Sequence, residues 1–460
     1  MRNYQFSIKL FVVFFLMAIV LCGCQQKQTE ADIPWISLFD GNTFNGWNQK
    51  GGKAHYTIRD GTIVGTTVWD TPNSFLTTDS LFDNFILEFE FLVDPAMNSG
   101  LQIRSNSVPS YRHGNVYGYQ IEIDPSDRAW SGGIYDQSRR GWLCPLAQNP
   151  KARKAFKQNQ WNHYRIEAIG DTIKTWINTI PAAHLIDDVT NRGFVALQVH
   201  EIYEKKNEGA EIIWRNLRIL TENISEYTRK SELPPIVTKN TLTAAEIKEG
   251  GWKMLWDGQS TKGWKGVHSD TFPSNRWQIK NGALSAQTQD NNKTKRGNDI
   301  MTEETFGDFE LKLDLKIIQK SKSDIISHTA AELEKAKDIV IGLTYQIDEN
   351  IHLTANKNEK RRYNDTSASL IEMIILDSKK SVAVVGEWNT VQIKHHKGQI
   401  EHWLNGTRVL SQELKSEGLH QTSVQNRDQK RLDFLRIDKG HIVLNNDSGA
   451  ISFRNIKMKQ

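Results

Sequence analysis

The 460-residue sequence predicts an all-β protein built as two jelly-roll-like β-sandwiches in tandem. Three observations lead there. Short runs of alternating apolar and polar residues recur between turns rich in Gly, Asn and Asp, as in strands that bury one face. One block of sequence is repeated with its spacing kept. Long helical periodicity is absent from the first block.

The repeat begins with Leu38, Asp40, Gly41, Gly46 and Trp47, which recur as Leu255, Asp257, Gly258, Gly263 and Trp264. Phe85 to Phe91 (FILEFEF) then matches Phe309 to Leu315 (FELKLDL), and Gly118 to Asp124 (GYQIEID) matches Gly342 to Asp348 (GLTYQID). Trp161-Asn162 and Trp388-Asn389 are each followed, 15 residues after the tryptophan, by Trp176 and Trp403. Each copy closes alike, on Trp214-Arg215-Asn216-Leu217 and on Phe453-Arg454-Asn455-Ile456. Each sheet needs a partner to cover its apolar face, so each copy is expected to be a sandwich.

Taken in order, the chain opens with Arg2 and Lys9 before an apolar run, Leu10 to Leu21, too short to span a bilayer comfortably, and then Cys22, Gly23 and Cys24. Residues 1–23 are expected to be a bacterial lipoprotein signal, with lipid on Cys24 and residues 24–34 as a tether. The competing reading is an uncleaved anchor. Either one places the folded part in the cell envelope, outside the cytoplasmic membrane. Loss of residues 1–23 removes Arg2 and Lys9 and no acid, so the formal charge falls from +4 to +2 and gives no support for a nucleic-acid partner. Only Cys144 then remains as a thiol, which excludes an intrachain disulfide or a cysteine-rich metal site. The 38% apolar and 24% charged content is that of an ordinary globular protein, whereas fourteen tryptophans suit β-structure and sugar-stacking surfaces.

The first copy is placed at 35–221. Within it Phe85, Leu87, Phe89 and Phe91 alternate with Ile86, Glu88 and Glu90, and Tyr164, Ile166 and Ala168 with Arg165 and Glu167. A linker follows at 222–249, carrying Pro234, Pro235 and one short helical stretch, Leu242 to Lys248. The second copy is placed at 250–460, where Thr329 to Lys337 reads as helical.

Chemistry concentrates in Tyr117 to Trp142, YGYQIEIDPSDRAWSGGIYDQSRRGW. Alternation puts Tyr119, Ile121 and Ile123 on one face and Gln120, Glu122 and Asp124 on the other. A loop dense in acids, guanidiniums and aromatics follows. Two neighbouring runs behave alike: Leu101 and Ile103 oppose Gln102 and Arg104, and Val195, Leu197 and Val199 oppose Gln198 and His200. If the three strands share a sheet, one polar concave face collects Arg104, Glu122, Asp124, Gln198 and His200.

The opening LFDGNTFNGW, NSGLQIRS at Asn98 to Ser105, the Tyr117 to Trp142 stretch, GFVALQVH at Gly193 to His200 and the closing WRNLRI together resemble the 3-keto-disaccharide hydrolase domain family, over both copies. The resemblance implies a concanavalin A-like jelly roll, export as a lipoprotein, and action on glycosides already oxidised to a ketone at carbon 3. Such a ketone acidifies the hydrogen at carbon 2, so a base can remove it and expel the glycosidic oxygen before water adds, whereas direct hydrolysis by a carboxylate pair is the competing scheme. Glu122 or His200 is the expected proton-moving group, assisted by Asp124. Arg104 and Tyr135 are the expected oxyanion or hydroxyl binders, and Trp130 or Trp142 the sugar platform. Asn98, Gln120, Gln198 and Arg140 complete the expected substrate contacts, although Arg139 and Arg140 also read as a solvated pair. No cofactor is expected: Glu122, Asp124 and His200 could meet a divalent metal, but their spacing matches no specific ligand motif.

The second copy keeps Asp348 but has Gln346 at the Glu122 position, Asn445 at Gln198, Asp447 at His200 and Ile371 at Tyr135, with no counterpart of Arg104. It is expected to retain the fold and to lack the chemistry, serving as a support or a carbohydrate-docking module. A carbohydrate-binding lipoprotein without turnover and a structural surface protein are the rival classes.

Overall fold

The computed structural model describes residues 33–109, 111–267, 269–286, 299–329, 343–348, 386–413 and 439–460. The first copy is a sandwich of two sheets. One has seven strands in the order Gly141–Cys144, Ile134–Gln137, Tyr117–Ile123, Ser99–Asn106, Phe194–Val199, Ser74–Thr78 and Trp47–Gly51. The other has nine, centred on Phe85–Val93, Asn162–Ile169 and Glu211–Leu220. Between them lies one core. Leu101, Ile103, Tyr119, Ile121, Ile123, Val195, Leu197 and Val199 enter it from the first sheet, and Phe85, Leu87, Phe89, Phe91, Tyr164 and Ile166 from the second. The alternation read from the sequence is therefore the alternation of the sheets, because burying one face fixes the register.

The repeated residues build the same local devices twice. Asp40 accepts the amides of Asn42 and Thr43, and Trp47 Nε1 donates to the Leu38 carbonyl at 2.8 Å. Asp257 likewise accepts the amides of Gln259 and Ser260, and Trp264 Nε1 donates to the Leu255 carbonyl at 3.1 Å. Asn178 donates to Asn162 at 2.8 Å and accepts the His163 amide, just as Asn405 donates to Asn389 at 2.9 Å and accepts the Thr390 amide. Asn178 and Asn405 both have positive φ, 47° and 50°, a conformation that asparagine tolerates better than most residues.

The second copy forms an 11-stranded sheet in which Phe309–Thr329 and His441–Lys459 run side by side for most of their length. Four of the five register shifts between them fall from Ile317 onward, where bulges bend the pair. Leu311, Leu313, Leu315, Ile317, Val391, Ile393, Phe453 and Ile456 form its core with Trp256, Trp264 and Trp277. Of the stretch Thr329 to Lys337, Thr329 ends a strand, and the rest lies outside the described residues.

Between the copies the chain is ordered. Ile236–Val237 adds a parallel strand beside Leu185 and Ile186. The helix Ala244–Glu249 starts with a capping box in which Thr243 accepts the Glu246 amide and Glu246 accepts the Thr243 amide. Among the described residues no helix is long and apolar enough to cross a membrane.

Candidate functional site

The register of the seven-stranded sheet places Gln198, Gly100 and Glu122 in one row, with Ala196, Gln102, Gln120, Tyr135 and Trp142 in the next. On the face turned from the core, Gln102, Gln120 and Glu122 form one hydrogen-bonded chain. Gln102 Nε2 donates to Gln120 Oε1 at 2.6 Å, and Gln120 Nε2 donates to Glu122 Oε2 at 2.8 Å. Gly100 makes room for this chain, since a Cβ there would sit 2.6 Å from Gln120 Cγ. Glu122 Oε1 accepts from Asn98 Nδ2 and from Arg128 Nη2, both at 2.9 Å.

Arg128 reaches back because the loop after the strand is folded on Asp124. That carboxylate accepts the Ser126 hydroxyl at 2.6 Å, the Trp130 amide at 3.1 Å and Arg128 Nε at 2.7 Å. The Arg128 guanidinium carbon lies 5.1 Å from the Trp130 ring centre and 4.9 Å from that of Trp142. Trp142 meets Trp130 edge to face at 4.6 Å and Tyr135 at 5.3 Å. The result is an acid in a polar bed, roofed by one cation and rimmed by three aromatic rings.

Burial separates the two acids. Burial pushes the Glu122 carboxyl above its ordinary value, against the pull of Asn98, Gln120 and Arg128, and the Asp124 charge adds to the rise. At Asp124 burial also pushes up, but the Ser126 and Arg128 hydrogen bonds and the Trp130 amide outweigh it, and the carboxyl lies below its ordinary value. Tyr135 is raised, first by burial and then by the Glu122 charge, so its phenol stays protonated and can donate. Adjacent groups whose protonation is driven apart are the usual substrate of acid–base chemistry.

Of the residues singled out in the sequence, Asn98, Gln120, Glu122, Asp124, Trp130, Tyr135 and Trp142 come together. Gln198 lies in the Glu122 row, fully buried, and among the described residues neither of its amide atoms has a hydrogen-bond partner. His200 stands one residue past its strand, its Nδ1 2.7 Å from the Glu201 carbonyl and its ring 6.2 Å from that of the exposed Tyr203. Among the described residues no three His, Cys, Asp or Glu side chains converge on a point that could hold a metal ion.

Two expectations are corrected. Arg104 does not share the Glu122 face: the strand bulges between Ile103 and Asn106, and Arg104 takes a positive φ of 45°. Its side chain crosses to the other sheet, donating to the Asp83 carbonyl at 2.6 Å and the Gly170 carbonyl at 2.8 Å. Gly193 permits the bulge, since a Cβ there would meet the Ser105 carbonyl oxygen at 2.3 Å. Arg140 is not solvated and stands apart from the Glu122 patch. It pairs with Asp136 at 2.5 Å and Asp187 at 2.7 Å, and Arg139 pairs with the same Asp136 at 2.7 Å, all four side chains being largely buried. Burial would raise the Asp187 carboxyl, but the Arg140 charge and hydrogen bonds hold it far below the ordinary range.

In the sequence Arg128 is one guanidinium of a loop dense in charge. Its separation of four residues from Asp124 was the available signal, but nothing in the spacing shows that the loop closes over Glu122.

The family model of the 3-keto-alpha-glucoside-1,2-lyase-like domain matches residues 34–220 and again 251–459. A 3-keto-disaccharide hydrolase of Bacteroides thetaiotaomicron is 27% identical over 233 residues, which span 46% of this chain and 79% of that protein. Among solved structures, a Parabacteroides distasonis protein described as a candidate glycosyl hydrolase is 23% identical, with a TM-score of 0.41, covering 48% of this chain and 99% of its own. A carbohydrate-binding module from Bacillus subtilis is 16% identical, with a TM-score of 0.26, covering 37% of this chain and 93% of its own. With both copies matched over nearly their whole length, the chain belongs to the 3-keto-alpha-glucoside-1,2-lyase-like domain family.

Proposed function

We propose that the first copy cleaves glycosides carrying a ketone at carbon 3, with Glu122 as the base. The observation that carries this reading is the Glu122 carboxyl, buried, raised above its ordinary value and set beside Arg128, Tyr135 and Trp142. A raised carboxyl is a stronger base near neutral pH, and the ketone makes the carbon 2 hydrogen acidic enough for it to remove. The electron pair moves to the carbon 3 oxygen, where the Tyr135 hydroxyl and the Arg128 guanidinium are the donors for the enolate. The enolate then expels the glycosidic oxygen from carbon 1, with protonated Glu122 as the adjacent proton source. Water adds at carbon 1 and a proton returns to carbon 2, so the net reaction is hydrolysis.

Trp130 and Trp142 offer the ring faces, and Asn98 the amide, for a sugar. His200, whose ring lies 6.2 Å from that of Tyr203, is kept as a second candidate proton-moving group. Turnover in deuterium oxide tests the route: deuterium at carbon 2 of the product is expected at early times, faster than it enters the 3-keto product incubated without protein, and no excess over that exchange would leave direct hydrolysis in place of elimination and hydration. We also propose that Cys24 carries lipid and holds the protein in the cell envelope, so Cys24→Ala should release it from the membrane fraction.

A further inference from the structure

A cavity of about 310 Å³ lies between the two copies, away from the Glu122 patch. Tyr111, Tyr117 and Arg139 line it from the first copy, and Glu387, Trp388 and Trp403 from the second. We propose that it is a second binding site, for a neutral mono- or disaccharide. This goes beyond the catalytic reading, because it concerns neither Glu122 nor any step at it.

Three observations support this. The volume lies at the lower end of small-ligand pockets, and the walls combine aromatic faces with dense hydrogen-bonding groups, as sugar recognition requires. Its charged lining balances, Arg139, Arg140, Lys312 and Lys457 standing against Glu246, Glu249, Asp314 and Glu387. These charges are largely satisfied within the protein: Lys457 pairs with Glu246 at 2.6 Å, Arg140 with Asp187 at 2.7 Å, and Glu387 accepts from the Tyr117 hydroxyl at 3.2 Å. A wall whose charges already cancel offers little to an ion and much to an uncharged polyol.

The third observation comes from the repeat. Trp403 and Trp176 hold equivalent positions, yet Trp176 is 3% exposed whereas Trp403 is only partly buried and opens on the cavity. Around it the repeated stack persists, with Arg454 over Trp388 at 3.9 Å as Arg215 is over Trp161 at 3.8 Å. In the first copy that Arg215 is 38% exposed; in the second, Arg454 is 1% exposed and reaches Asp188 of the first copy. This end of the second sheet thus faces the first copy and forms one wall of the cavity.

The test uses the full mature chain carrying Glu122→Gln and Arg128→Ala, so that the first site is disabled and its fate cannot decide the result. Calorimetric titration with maltose, trehalose and sucrose should give saturable binding with at least one of them, at one site per chain, with glucose 6-phosphate no tighter. Adding Trp403→Ala should weaken that binding about tenfold, whereas Trp403→Phe should retain most of it. An unchanged melting curve for Trp403→Phe shows the chain still folded. Absence of saturable binding with all three sugars, tighter binding of the phosphate ester, or indifference to Trp403→Ala would overturn the proposal.

Discussion

Arg128 donates to Glu122 at 2.9 Å with a side chain that is 41% exposed, while the acid it covers is 5% exposed. The pair joins a buried carboxylate to a cation that faces solvent, so the charge of the acid is compensated from the open side of the patch.

Glu122→Gln should abolish turnover and leave the chain at least as stable as before at neutral pH. The folded-state value of Glu122 is raised above its unfolded value, so the native state holds the proton more tightly. Stability is therefore lost as pH rises through the window between the unfolded and folded values. The glutamine variant lacks that loss, so its advantage in thermal midpoint should fade as pH falls below the window. A pH series of melting curves measures it.

The same sign governs activity. A base must be ionised, so kcat/KM should rise with pH through the raised Glu122 value, with its acid limb above that of an ordinary glutamate.

Arg128→Lys should lower kcat by about 10²- to 10³-fold, the usual cost of one lost oxyanion donor, because a lysine cannot donate to Glu122 and Asp124 at once while lying over two indoles. Steady-state kinetics on the oxidised substrate reads this directly. The melting temperature should change little, since the side chain is partly exposed.

Arg140→Ala should do the reverse. Removing it leaves Asp136 and Asp187 buried short of a cation, at a cost of about 3 kcal/mol in urea unfolding, with kcat/KM of the folded fraction kept.

Asn178→Ala and Asn405→Ala should each cost about 2 kcal/mol, since each breaks the same pair of hydrogen bonds at a positive φ. Similar losses, read as unfolding free energies, check that the repeat is structural and not only a likeness of letters.

How far the molecule could be read from its sequence follows from range. The faces of Tyr119, Ile121 and Ile123 against Gln120 and Glu122 depend only on alternation, and burial enforced it. The turns at Asp40 and Asp257 depend on contacts within a few residues, and spacing revealed them. Arg104 failed because one inserted residue reverses a side chain, and no local signal marks a bulge. Arg140 failed because its partner Asp187 is 47 residues away. Arg128 was visible and unassigned, since the closure of its loop rests on hydrogen bonds to Asp124 that composition does not report.

The central claim is that the Glu122 patch acts on sugar oxidised at carbon 3. The direct measurement offers the full chain a 3-keto-glucoside and its unoxidised parent side by side and follows release of the aglycone. Consumption of the ketone alone, lost in Glu122→Gln, is the expected result; equal cleavage of the parent glucoside, or cleavage that survives Glu122→Gln, would contradict it.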